Sequence, residues 1–228
     1  MSHYVGALPM ARYSEAMSDD GQGKRPKSRT STSEERIVDA ALDLAEEIGW
    51  GNVRLRLVAE RLGIPMAEVS DRFRDLDAVA DAWFARARQA MLAPPPKGFA
   101  EMLPPERLHL LLMRWFNCLA PHRAVTGQML REKLYASHPH HWAPMIFSLS
   151  RLVNWLRDAA LLDASGRRRQ MEEIGLTMLF LGALAVWQRD DTPGQEDTSA
   201  YLRRRLARAD RRMAWLWGAT PAMERRKE

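Results

Sequence analysis

The stretch Leu55-Arg-Leu-Val-Ala-Glu-Arg-Leu-Gly-Ile-Pro-Met-Ala-Glu-Val-Ser-Asp-Arg-Phe-Arg74 constrains this chain most. It reads as two short amphipathic helices, near Leu55 to Leu62 and from Met66 to Arg74, divided by Gly63-Ile64-Pro65. Helices this short are marginal alone in water, so they must stack on each other and on a longer neighbour. Gly63 allows the sharp turn between them, and Pro65 suits the first turn of the second. Ala59 is small enough for close approach, and Val58, Leu62, Val69 and Phe73 supply apolar contacts. This spacing is that of a helix-turn-helix, whose second helix can enter a DNA major groove.

The flanks supply the neighbour. Thr32-Ser-Glu-Glu35 has the form of a capping box. The helix after it carries Ile37, Ala41, Leu44 and Ile48 on one stripe and ends at Gly49 and Gly51. A fourth helix, from about Asp77 to Met91, turns Val79, Trp83, Ala87 and Met91 inward. Pro94-Pro-Pro-Lys-Gly98 then breaks the pattern.

Beyond this break the chain stays helical. Helices are expected from Pro104-Pro105 to Leu119, Pro121 to about Ala136, Met145 to Leu161 and Arg169 to Arg189, and Asp197 or Thr198 is expected to cap a last helix through about Trp217. His138 to Pro144, Asp163 to Gly166 and Asp190 to Gly194 read as loops or turns. No alternating strand pattern of useful length and no repeat occurs, so the fold class is all-α. The organisation expected is a flexible basic arm over 1–30, a helix-turn-helix domain over 31–93, a larger helical domain over 99–217, and a tail over 218–228.

Composition narrows the function. The formal net charge of +5 favours an anionic partner, nucleic acid or a membrane surface, but fits a solvated basic surface equally. The arm ends in Lys24, Arg25, Lys27 and Arg29, which can touch phosphates or serve only solubility. A single cysteine, Cys118, excludes an internal disulfide and fits a reducing cytoplasm; it reads as a small core residue. No secretory signal is visible, and the apolar run Ile174 to Trp187 falls short of the roughly 20 residues that span a bilayer. His122, His138, His140 and His141 lack the spacing of helical metal ligands, and no nucleophile elbow, phosphate-cradling loop or paired acid and base stands out. The chain is therefore expected to be no enzyme and to carry no cofactor or metal.

Residue patterns now resemble a known family. Arg36-Ile-Val-Asp-Ala-Ala-Leu-Asp-Leu-Ala-Glu-Glu-Ile-Gly-Trp50 looks like the opening helix of TetR-family repressors. Arg56 to Ile64 is similar to their second helix and turn, and Val69 to Val79 fits the end of their recognition helix and the start of the fourth. The resemblance implies a TetR-like fold, with 31–93 as the DNA-binding domain and 99–217 as the effector-binding and dimerisation domain, and a ligand-responsive homodimer on palindromic operator DNA. DNA contacts are then expected from Arg29, Arg54, Arg56, Met66, Ala67, Ser70, Arg72 and Arg74. The chain departs from the family at Ser70, usually Tyr; at Arg72, usually His; near Leu76, often Lys; and at Arg54, usually Ser or Thr. Glu68 and Asp71 add negative charge to a helix meant for a polyanion.

The second half adds three expectations. Trp115, Phe116, Met129, Trp142, Phe147 and Trp155 are expected to wall a pocket for a small apolar or aromatic effector, with Asn117, Gln128 or a histidine meeting a polar group. Leu202, Leu206, Ala209, Met213 and Leu216 form a seam on the last helix, and Gly175 and Gly182 share a face on the one before, so these two helices are expected to build the dimer interface. Finally, Leu181 to Arg205 also resembles the lipid-binding accessory proteins of ubiquinone biosynthesis, which share the TetR-like fold. That resemblance implies an alternative: isoprenoid binding with peripheral membrane contact through Trp215, Trp217 and nearby arginines.

Overall fold

The computed structural model describes residues 33–133 and 142–218, with side chains described throughout except at 133 and 142–148. The arm with Arg29, the Thr32 cap, the loop between Lys133 and Trp142, the side chains of Trp142 and Phe147, and residues 219–228 of the tail lie outside the described residues. The described chain is helical with no strand: α1 Ser33–Ile48, α2 Leu55–Leu62, α3 Met66–Ser70, α4 Leu76–Met91, α5 Pro104–Leu119, α6 Arg123–Lys133, α7 Trp142–Ala159, α8 Gly166–Trp187 and α9 Glu196–Leu216.

The first three helices form as their pattern dictates. α1 buries Ile37, Ala41 and Leu44, while Ile48 stays partly exposed at its end. α2 ends at Gly63, whose φ of 63° is left-handed and costs glycine little. The Ile64 N–H then donates back to Ala59 O at 3.1 Å and closes the turn. Val58 and Val69 are fully buried, which clamps α2 and α3 together. Arg61 fixes α2 to α1 from outside, donating to both carboxylate oxygens of Glu47 at 2.7 and 2.6 Å.

α3 is shorter than its sequence suggests. It ends at Ser70 and not at Arg74: the Arg72 and Phe73 N–H groups still donate to Val69 O, but Asp71 and Arg72 form a turn and the chain leaves the helix. Phe73 joins Val69 in the core, where it is 5% exposed. The chain then extends at Asp75, whose carboxylate accepts from the Ala78 N–H at 2.8 Å and caps α4.

α4 carries two faces into one core. It packs on both α1 and α5 with Val79, Ala80, Ala87 and Met91 buried, and Phe84 stacks on Trp115 of α5. The Trp83 indole donates to Thr126 Oγ1 of α6 at 3.0 Å. Trp115 and Phe116 of α5 meet edge to face with centroids 5.1 Å apart, and both touch Phe180 of α8. Burying each such ring is worth about 1.5–3 kcal/mol.

The last two helices close the body. α9 turns Leu202 and Leu206 inward, toward α5 and α8 of its own chain. Gly182 makes room for the Tyr201 hydroxyl, which sits where a side chain would otherwise stand. The cap of α9 comes from neither Asp197 nor Thr198. Buried Asp190 reaches across the turn and accepts from the Thr198 N–H at 2.8 Å and its hydroxyl at 2.6 Å, and from both donors of Thr192. Burial pushes this carboxyl up, but the four donations outweigh it and hold its pKa at about 2. In α8, Glu172 meets the buried Arg157 of α7 at 3.0 Å and Glu173 meets it at 3.6 Å.

Candidate nucleic-acid interface

Val69 sets the aim of α3. With that side chain buried under α2, the residues two before and two after it, Ala67 and Asp71, project outward about 200° away. Met66, Ala67, Ser70 and Asp71 are all exposed. The outer surface of the motif is thus a short helix held rigidly from behind and open in front, the form in which side chains reach base edges.

The arginines expected at phosphates have local partners. Arg54 donates from Nη1 to Gly51 O at 2.8 Å and Val53 O at 2.7 Å. Arg72 folds back onto Glu68 O at 2.9 Å, with the Glu68 carboxylate 3.9 Å away. Arg56 pairs with Glu60 at 3.5 Å, and Arg74 with Asp75 at 2.9 Å. Exposed pairs of this kind are worth about 1 kcal/mol or less, so phosphates can compete for these guanidinium groups. The Ser70 hydroxyl donates to Ala67 O at 2.9 Å.

The head is tied to the body through α6. The backbone N–H of Trp50, in the turn after α1, donates to Gln128 Oε1 at 2.6 Å. His122 Nδ1 stands 2.6 Å from Glu46 Oε1, and its ring meets Trp83 edge to face. Beside this contact lies an open depression of about 400 Å³ bordered by Glu46, Arg123, Gln188 and Asp191. Gln128 is therefore engaged at the head, and Asn117 accepts from Gln195 Nε2 at 2.6 Å, so both amides expected at a ligand have protein partners.

The expected pocket residues divide. Trp115, Phe116 and Met129 are buried, the two rings against each other and Phe180. Trp155 is half exposed on α7. The expected interface residues divide as well: Leu202 and Leu206 are spent in the chain's own core, Gly182 lies under Tyr201, Met213 is partly covered, and Gly175 is open. Sequence reasoning missed an exposed stripe on α8, Met171, Ile174, Met178 and Leu181, with Ile174 66% and Met178 65% exposed. Its i, i+3, i+7 spacing is in the sequence, but α8 is apolar on all sides from Ile174 onward and periodicity could not separate the outer row from the inner. Among the described residues no cluster of metal-ligating side chains occurs, and no helix is long and apolar enough to cross a membrane.

A rigid helix-turn-helix head carried on an all-α body defines the class of helix-turn-helix regulators. No family model and no curated protein matches the chain. Among solved structures, a TetR transcriptional regulator from Nitrosomonas europaea is 36% identical, covers 80% of this chain and 98% of its own, and superposes with a TM-score of 0.69. A TetR regulator from Rhodococcus sp. RHA1, 19% identical over 75% of this chain and 91% of its own, shares the fold with a TM-score of 0.54. The chain belongs to the TetR family of transcriptional regulators, which are not enzymes.

Proposed function

We propose that this regulator binds a palindromic operator as a homodimer and releases or engages it in response to a small apolar or aromatic effector. The observation that carries the DNA contact is the outward face of α3, with Met66, Ala67 and Ser70 exposed opposite a fully buried Val69. The cations of Arg54, Arg56, Arg72 and Arg74 surround that face and supply phosphate contacts. A two-fold dimer sets two such helices about one helical turn apart, matching successive major grooves.

The dimer face is the α8 stripe, not the Leu202 and Leu206 seam. Met171, Ile174, Met178 and Leu181 expose a row of large apolar side chains with Gly175 among them, a surface that pays to be covered. The outer end of α9 adds Leu216, 47% exposed, and the partly covered Met213 as candidates for the same interface. The effector acts by binding two states unequally, and α6 carries the difference because its Gln128, and His122 just before it, hold it to the head. Trp115, Phe116 and Met129 are buried in the body, and an effector that reaches them would have to displace packed side chains.

The test is selection of genomic fragments on the purified protein at moderate salt. Enrichment of an inverted repeat over random DNA supports the reading, and no enrichment rejects it. The lipid-binding alternative rests on Trp215, 81% exposed beside Arg208, Arg211 and Arg212. Sedimentation with anionic vesicles, without any DNA enrichment, is the result that favours it.

A further inference from the structure

The outward face of α3 offers very little chemistry to a base. Ser70 spends its hydroxyl proton on Ala67 O. Arg72 is folded along the flank against Glu68. The exposed groups left are the Met66 side chain, the Ala67 methyl and the Asp71 carboxylate, which takes part in no ion pair among the described residues. The face carries no Arg, Lys, Asn or Gln, so the usual bidentate contacts to guanine and adenine are absent from it.

An ionised carboxylate only accepts hydrogen bonds. In the major groove, guanine presents two acceptors, and thymine an acceptor and a methyl group. Adenine has a donor at N6, but its N7 acceptor stands beside it and repels the second carboxylate oxygen. Cytosine presents its N4 donor without an adjacent acceptor of its own. We propose that Asp71 is a specificity-determining residue that accepts a hydrogen bond from N4 of one cytosine in each operator half-site. This rests on the DNA-binding reading above. Asp71 selects by penalty: its charge weakens binding to every sequence by opposing phosphate attraction, and only cytosine returns the loss. Met66 and Ala67, with no polar group to offer, suit a thymine methyl on an adjoining step.

The experiment is selection from a randomised duplex pool on the full-length protein, Asp71→Asn and Asp71→Glu, all at one salt concentration. The unaltered protein is expected to select an inverted repeat with cytosine fixed at one position per half-site. Asp71→Asn, whose amide pairs with adenine, loses that cytosine preference by about tenfold or more and gains adenine there. It also binds random DNA more tightly. Asp71→Glu keeps the carboxylate and retains cytosine. A selected repeat with no fixed cytosine, or one whose cytosine survives Asp71→Asn unchanged, overturns the assignment to Asp71 while leaving DNA binding intact. No enrichment by the unaltered protein overturns the DNA-binding reading, and the cytosine contact with it.

Discussion

The backbone N–H of Trp50 and the side-chain oxygen of Gln128 meet at 2.6 Å across 78 residues of sequence. The first belongs to the turn that closes the helix-turn-helix scaffold, the second to α6. Replacing Gln128 by Leu leaves that N–H without its acceptor, at a cost of about 1–3 kcal/mol. The expected outcome is a lower melting temperature together with an altered operator affinity. A Gln128→Leu protein with unchanged melting and unchanged affinity would show the contact to be idle.

The α8 stripe and the α9 seam separate by mutation. Met178→Glu places a charge in the proposed interface and is expected to give a folded monomer, because an unpaired buried charge costs several kcal/mol. Leu206→Arg puts its charge in the chain's own core, where Leu206 is 3% exposed, and is expected to unfold the protein. Sedimentation and circular dichroism distinguish the two, and a dimeric Met178→Glu protein refutes the stripe as interface.

Asp190 makes stability depend on acid. Its pKa of about 2 lies below the ordinary 3.8, so its contribution is complete above pH 4 and is lost as pH falls from there toward 2. The difference is worth about 2 kcal/mol. Denaturant melts at pH 5 and pH 2.5 are expected to differ by less in Asp190→Asn than in the unaltered protein, and an equal difference in both discounts the linkage.

Arg56 is exposed and held only by Glu60 at 3.5 Å, so a phosphate can take it. Arg56→Ala is expected to weaken binding to all sequences alike and to shallow the salt dependence by about one unit. Binding titrations at several salt concentrations measure this, and an unchanged slope removes Arg56 from the phosphate contacts.

Local signals were the legible part of this chain. Gly63, the alternation of Val58 and Val69, and the proline breaks each act within a few residues, and the helices they predict form. α3 stops short because the chain extends at Asp75 to cap α4, a commitment made beyond the pattern of α3 itself, while Phe73 keeps the buried place that its spacing from Val69 predicts. The cap on α9 was misplaced for a related reason: Asp190 lies before the turn and reaches Thr198 only once the turn has closed. At the interface, the exposed arginines could be named from sequence, but their hold on Gly51, Val53 and Glu68 carbonyls depends on how the backbone folds back. Apolar residues on α9 marked a seam correctly, yet a seam can serve another helix of the same chain as readily as a partner, and Leu202 and Leu206 do.

The two-faced packing of α4 governs how this molecule comes apart. Buried side chains run without interruption from Ile37 through Val79, Met91 and Phe116 to Leu206. The prolines between α4 and α5 interrupt the main chain but not this contact. The helix-turn-helix head therefore has no private melting transition: heat should dissolve head and body in one cooperative step. A ligand held near Trp115 would then raise the temperature at which α3 itself unravels, so protection of the Val69 amide from hydrogen exchange becomes a remote gauge of occupancy in the body.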